Sequence, residues 1–379
     1  MKMINLTEPS ISNKILKNLN DLKKYNNFST DGVYSKKCAI FLEKTLKINK
    51  VLMTKSCTSA LEMCALLINI KKGDEVIFPS YGYVSTVNAF VLRGAKPIFV
   101  DINSEDLNID INQIEKKINK KTKAIVIINY AGGFCDIDKV IKLKKKYNLY
   151  LIEDAAQSIF SKYKNKYLGT FGDLATMSFH QTKNIHCGEG GALFINNKKF
   201  IKRAALIFKK GTNKEKFLKK KIKKYSWIDL GSSFEMSEIH AYILFNSLSE
   251  WKKRLSQRMK IWNDFHNKLY ILEQKNMLRR PRFFKNVKHN AHLYYILVKR
   301  IYRNKIINYL NKNNIGATFH YLPLHDSSFF KKNYKKNLHL KVSTDIANKL
   351  LRLPISHNLS KEQFNHITKH LFKFFKLQN

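Results

Sequence analysis

Tyr150-Leu151-Ile152-Glu153-Asp154-Ala155-Ala156-Gln157 is the stretch on which the fold turns. An apolar run ends on two carboxylates, as a buried strand does when it emerges at its carboxyl end. Similar short runs lie on both sides: Val51-Leu52-Met53, then residues 75–78, 97–100, 124–128, 174–178 and 191–195. They are continuous rather than alternating, so both faces of each strand are expected to be covered. Helical patterns at residues 59–68 and 85–92 fall between them. Strand–helix alternation predicts an α/β fold with a mostly parallel central sheet and helices on both faces. A ligand on such a sheet binds beyond the strands' carboxyl ends.

From about residue 235 the pattern changes. A long helical stretch over residues 235–272 is followed by a strand-like run at 292–298, a helix near 305–311 and a last helix from Lys361. This predicts a large domain over residues 1–245 and a smaller α+β domain over 246–379. Seven of the fourteen glycines lie between Gly132 and Gly191, which places the site there.

Composition narrows the classes. The chain has 379 residues, 44% of them hydrophobic, enough for a substantial core. No apolar run reaches the roughly 18 residues of a membrane helix. The first twenty residues lack a signal-peptide pattern, so a cytoplasmic protein without membrane insertion is expected. Five cysteines, at 38, 57, 64, 135 and 187, are irregularly spaced and form no CxxC pair, which argues against a disulfide framework or a metal site. The net charge of +42 raises nucleic-acid binding as a reading. The excess is spread along the chain among Asn, Ile, Phe and Tyr, and AT-rich codon usage accounts for it better than a nucleic-acid patch does. An anionic substrate still benefits from the field.

Four weak signals point to one chemistry. Asp154, at a strand end, can pair with a protonated ring nitrogen, the partner pyridoxal phosphate requires. Gln157, one helical turn on, can reach the ring hydroxyl. Taken alone, Asp154 reads as a helix cap. Lys183, in Ser178-Phe179-His180-Gln181-Thr182-Lys183-Asn184, can form a Schiff base with an aldehyde and then carry a proton. Taken alone it is one more solvated lysine. Ser56-Cys57-Thr58-Ser59 opens a helix after a strand and can bind a phosphate, or is a plain cap. Tyr83, at another strand end, can stack on a ring or simply pack. Together they put a lysine, a carboxylate, an anion cradle and an aromatic at the ends of one sheet.

The motifs resemble the fold type I (aspartate aminotransferase-like) sugar aminotransferases of the DegT/DnrJ/StrS family. The likeness runs from about residue 31 to 354 and is carried by SCTSALEM (56–63), VSTVNAFVLRGAK (84–96), EDAAQ (153–157), SFHQTKN (178–184), KGTN (210–213), GSSFEMS (231–237) and FHYLPLH (319–325). The resemblance implies that Lys183 holds pyridoxal 5′-phosphate covalently, with Asp154 on the ring nitrogen and Gln157 on the ring hydroxyl. Thr58, Ser59 and Ser178 would bind the phosphate and Tyr83 would stack. Ser233 would complete the phosphate site of the neighbouring subunit, which implies a homodimer with shared active sites. Tyr321 and His325 match a segment near the sugar nucleotide. His186, beside the lysine loop, is a further substrate-side candidate, and with Gly82 it departs from the family pattern. Within the family the likeness is to transaminases that make dTDP-4-amino-4,6-dideoxygalactose for enterobacterial common antigen. A dTDP-4-keto-6-deoxyglucose substrate and L-glutamate as donor follow. A UDP-4-keto-pentose transaminase of lipid A modification shares the fold and most of these residues. A dehydratase of this fold would carry His where Lys183 stands. A basic nucleic-acid-binding protein without catalysis is the reading from a different class.

Overall fold

The computed structural model describes residues 2–17, 19–133, 136–282 and 284–376. Cys135 therefore lies outside the described residues, and the other four cysteines are free thiols. Among the described residues thirteen strands occur: β1 Lys50–Thr54, β2 Glu75–Pro79, β3 Lys96–Val100, β4 Thr122–Ile128, β5 Tyr150–Asp154, β6 Lys162–Tyr163, β7 Lys166–Tyr167, β8 Leu174–Ser178, β9 Gly191–Ile195, β10 Leu278–Arg279, β11 Val287–Lys288, β12 Tyr294–Val298 and β13 Leu350–Leu353. Seven build the central sheet in the order β1-β9-β8-β5-β4-β2-β3. Its β3–β2–β4–β5–β8 run pairs in parallel, and β9 is antiparallel to both β8 and β1. The expected mostly parallel α/β sheet is what forms. Every residue of β2, β8 and β9 is buried, as continuous apolar runs require.

Helices cover both faces. One core packs Cys57–Leu67, Ser85–Val91 and Ile201–Phe208 against Val76, Phe78, Ile152 and Leu193. On the other face Val33–Leu46 and Glu238–Ser249 pack with Met53, Ala175, Met177 and Phe194. The three-stranded sheet β10-β12-β13 anchors a third core with Trp262, Phe265, Leu310, Leu371 and Phe374.

Three local expectations change. The long helix of residues 235–272 is three helices, Glu238–Ser249, Trp251–Lys268 and Tyr270–Gln274. Its start is set by Ser237, whose side chain accepts from His240 N–H. The first break comes where the chain leaves one core for another: Leu248 packs in the second core and Phe265 in the third, while Trp251 stacks on Phe160 at 4.1 Å. Gln157 sits in a turn, not a helix, so Asp154 caps none. Residues 132–191 do supply Asp154, Gln157, Ser178 and Lys183 to the site, but the clustered glycines themselves do not line it. Gly169, Phe171 and Gly172 donate backbone N–H groups to the fully buried Glu153 at 2.8, 2.6 and 2.7 Å. That clasp fixes the strand that ends on Asp154.

Candidate active site

The carboxyl ends of β1, β2, β4, β5 and β8 open into one cavity of about 570 Å³. Thr58, Tyr83, Asp154, Gln157, Ser178, Lys183 and Tyr321 line it, with Ser56, Cys57, Ser85, His292, His320 and Arg352. The volume suits a cofactor with a substrate beside it.

Asp154 is 6% exposed. One carboxylate oxygen accepts from Thr86 Oγ1 at 2.5 Å and the other from Ala156 N–H at 3.1 Å. Burial raises its pKa, opposed by those hydrogen bonds and by the Lys183 charge. A protonated ring nitrogen would supply the cation this carboxylate lacks. Lys183 is half-buried by area only because the cavity beside it is open. Protein surrounds it, and burial lowers its pKa below the ordinary 10.5; Cys57 and Asp154 oppose the shift and the Arg352 charge adds to it. No hydrogen bond or ion pair holds its Nζ among the described residues. A lysine whose burial favours the neutral amine is the form that attacks an aldehyde.

The helix Cys57–Leu67 starts at the cavity wall with Ser56 as N-cap, its Oγ accepting from Ser59 N–H at 3.1 Å. Thr58 Oγ1 donates to Ser85 Oγ at 3.1 Å. Gly191 lets this helix start rest on the sheet, for a Cβ there would lie 2.3 Å from the Ser56 carbonyl carbon. Ser178, 6% exposed, ends β8. Helix start and hydroxyls thus face the same cavity, an arrangement able to bind an anion. Ser59 is buried behind it, bonded to Ser56 Oγ at 3.0 Å. Gln157 Oε1 accepts from Ala131 N–H at 2.8 Å, and its Nε2 donates to Tyr321 OH at 3.2 Å. Tyr83 stays 58% exposed, its ring 6.2 Å from that of Tyr321.

Besides Ser59, three expected residues lie outside the cavity lining. His325 is buried, its Nδ1 2.6 Å from Ser80 Oγ. His186 is buried and its Nε2 accepts from Ser10 N–H at 3.1 Å; burial lowers its pKa to about 4, so it is neutral. Ser233 is exposed, in an isolated bridge with Lys209. Gly82 does touch the site: a Cβ there would meet Ile128 Cδ1, which lines the cavity, at 2.2 Å.

Thr86, His292, His320 and Arg352 were not expected. Thr86 lies within the quoted VSTVNAFVLRGAK stretch, but nothing in the sequence said which of its residues faces the carboxylate. His292 is buried, its Nδ1 3.1 Å from Asn184 Oδ1. Burial and the nearby Lys183 and Arg352 charges lower the pKa of both His292 and His320. Among the described residues no cluster could hold a metal ion, and no helix is long and apolar enough to cross a membrane.

Comparison with known proteins agrees with this geometry. Over 377 residues the chain is 30% identical to GDP-perosamine synthase of Escherichia coli O157:H7, covering 99% of each chain. PseC of Helicobacter pylori, an aminotransferase involved in pseudoaminic acid biosynthesis, superposes with a TM-score of 0.90 at 27% identity, over 99% of this chain and 100% of that one. NtdA of Bacillus subtilis, solved with bound PMP, superposes with a TM-score of 0.87 at 26% identity, over 97% of this chain and 83% of that one. The family model for DegT/DnrJ/EryC1/StrS aminotransferases matches residues 9–372. The chain belongs to the DegT/DnrJ/EryC1/StrS aminotransferase family, whose members work with pyridoxal 5′-phosphate.

Proposed function

We propose that the chain moves an amino group from L-glutamate to the C4 ketone of a nucleoside-diphosphate-linked 4-keto-6-deoxyhexose. The observation that carries this is the convergence of the Lys183 amine, the Asp154 carboxylate and the Ser56–Ser59 helix start on one cavity. When bound, pyridoxal phosphate supplies the electron sink for a carbanion. The chain's own residues do the rest. Asp154, stiffened by Thr86, holds a ring nitrogen protonated. Gln157 and Tyr321 fix the cofactor's hydroxyl side, and Thr58 and Ser178 hold its phosphate, with Ser59 bracing the cradle. Lys183 Nζ takes a proton from the donor carbon and returns one to the sugar carbon. Tyr83 covers the open side.

Guanosine diphosphate is the favoured nucleotide, because the full-length Escherichia coli relative is named for a GDP-linked product. The stretches that suggested dTDP bear less on a nucleotide than their sequence implied. In residues 84–96, Val87, Ala89 and Phe90 are core and Thr86 serves Asp154. In residues 319–325, His325 is packed away against Ser80. The dTDP sugar of enterobacterial common antigen is the second reading, and a UDP-4-keto-pentose the third.

The enzyme is also proposed to be a cytoplasmic homodimer, with Ser233 completing the partner's phosphate site. Trp227, Ile228 and Leu230 support this: they are 74%, 50% and 48% exposed close to Ser233 in sequence, an apolar surface expected to be covered. Mixing inactive Lys183→Ala and Ser233→Arg subunits should then restore part of the activity. Full activity of a monomer in sedimentation would exclude sharing.

The substrate is tested by offering GDP-, dTDP- and UDP-linked 4-keto sugars with L-glutamate and reading the C4 configuration of the product. Turnover of the GDP sugar alone is expected. Turnover of the dTDP sugar alone would restore the second reading, and amination of only the pentose would establish the third.

A further inference from the structure

Lysine is dispersed along the sequence but not in space. The segments that lead into β2, β3, β4 and β5, residues 71–74, 93–95, 115–121 and 144–149, hold ten lysines and arginines against two acids. The segments that leave the carboxyl ends of the same strands, residues 80–84, 101–110, 129–133 and 155–161, hold no lysine or arginine and four acids. Codon usage would load both sets alike. The four strands run parallel, so the fold gathers the first set on one edge of the sheet and the second on the edge that carries the cavity.

Contacts make the basic edge continuous. Lys146 pairs with Glu115 at 2.7 Å, and Asn119 donates to Glu75 at 2.7 Å. Lys144 pairs with Asp173 at 2.7 Å, just ahead of β8. β9 runs antiparallel to β8, so Lys198 and Lys199, which follow it, fall on the same edge; Lys199 Nζ lies 4.5 Å from the centre of the Tyr150 ring. The nearby acids are taken: Glu75 also pairs with Lys96 at 3.3 Å, and Asp74 accepts from the Lys71 N–H at 2.9 Å. Lys71, Lys72, Lys120, Lys121, Lys145 and Lys198 are exposed and have no ion-pair partner among the described residues.

We propose that this amino-end edge of the central sheet is a docking surface for an anionic membrane. It does not depend on which sugar the cavity takes. Six strands, β9-β8-β5-β4-β2-β3, make the edge about 24 Å wide, a row rather than a groove. Its charges are lysine ammoniums, with Arg93 the one guanidinium in the four leading segments. Point charges on flexible stems suit a fluid plane of anionic headgroups. A single-stranded nucleic acid is held instead by a groove with aromatic platforms. Leu92 and Tyr147 are exposed along the edge, two side chains that do not amount to an inserting face, so the attachment is by charge. The cavity opens at the opposite ends of the strands and stays free. Ser233 is on the cavity side too, for Glu235 bridges Thr54 at the carboxyl end of β1. The dimer proposed above therefore leaves the lysine edge open.

The test sediments the full-length protein with vesicles of equal parts phosphatidylglycerol and phosphatidylcholine at about 0.1 M salt. A variant carrying Lys71→Gln, Lys120→Gln, Lys121→Gln and Lys145→Gln is compared with one carrying Lys253→Gln, Lys260→Gln, Lys312→Gln and Lys369→Gln. The second loses the same charge from exposed positions on helices beyond residue 250. The edge variant should bind at least about 50-fold more weakly than wild type, and the control less than about threefold more weakly. Raising the salt to about 0.5 M should release the wild type, and vesicles of phosphatidylcholine alone should not hold it. Equal weakening in both variants would make net charge, not the edge, responsible and overturn the proposal. So would wild type that stays in the supernatant. A short single-stranded RNA that binds wild type more tightly than the vesicles do, and fails to bind the edge variant, would assign the edge to nucleic acid instead.

Discussion

The two walls of the cavity were built from different kinds of sequence. The large-sheet wall comes from contiguous motifs at strand ends: Ser56–Ser59, Asp154–Gln157 and Ser178–Lys183. The small-sheet wall comes from three separate segments: His292, the adjacent His320 and Tyr321, and Arg352. The first wall holds the groups proposed for cofactor chemistry. The second, with Tyr321, lies where the resemblance puts the sugar nucleotide. Chemistry common to many enzymes is written locally, and selectivity is written by how distant segments meet.

Breaking the first wall should cost most. Lys183→Ala removes both the covalent anchor and the proton carrier, and steady-state turnover should fall by about four orders of magnitude or more. Asp154→Asn should lower kcat by about 1,000-fold, because a neutral amide cannot hold a ring nitrogen protonated in a buried site. Thr86→Val should lower kcat by about 10- to 100-fold with little change in fold, since it strips one hydrogen bond from a buried carboxylate. Tyr321→Phe, on the second wall, should change KM and kcat only a few-fold, for it loses the Gln157 bond but keeps the ring. If Tyr321→Phe exceeds Asp154→Asn in a kinetic comparison, the division between the walls is wrong.

The smallest effect is a pH effect on the apoprotein. The folded-state pKa of Lys183 is lowered, chiefly by burial. In the window between that value and the ordinary 10.5, the unfolded chain binds more protons than the folded one, so this group makes stability rise with pH. Apo Lys183→Met should therefore melt above apo wild type at pH 7, and the gap should narrow as pH rises toward 10.5. A gap that widens with pH would contradict the buried-amine account.

The same contrast explains what was legible. The seven central strands declare themselves because burial on both faces leaves unbroken apolar runs such as residues 124–128 and 191–195. β13 hides because Arg352, a cavity residue, interrupts its Leu350–Leu353 run. Lys183, Asp154 and Tyr321 could be singled out from motif and resemblance. Which side chains of such a motif reach the cavity could not. His186 sits beside one motif and His325 within another, yet the chain turns them toward Ser10 and Ser80. Thr86 serves a carboxylate 68 residues away, a pairing that exists only once β2 and β5 lie in one sheet.

The most direct measurement is borohydride reduction of the purified holoenzyme followed by peptide mapping. Reduction fixes the cofactor to whichever lysine holds it. The account predicts a single labelled peptide containing Lys183, and no label when L-glutamate is added first to unload that lysine. A label on any other lysine, or one that persists unchanged after L-glutamate, would contradict it.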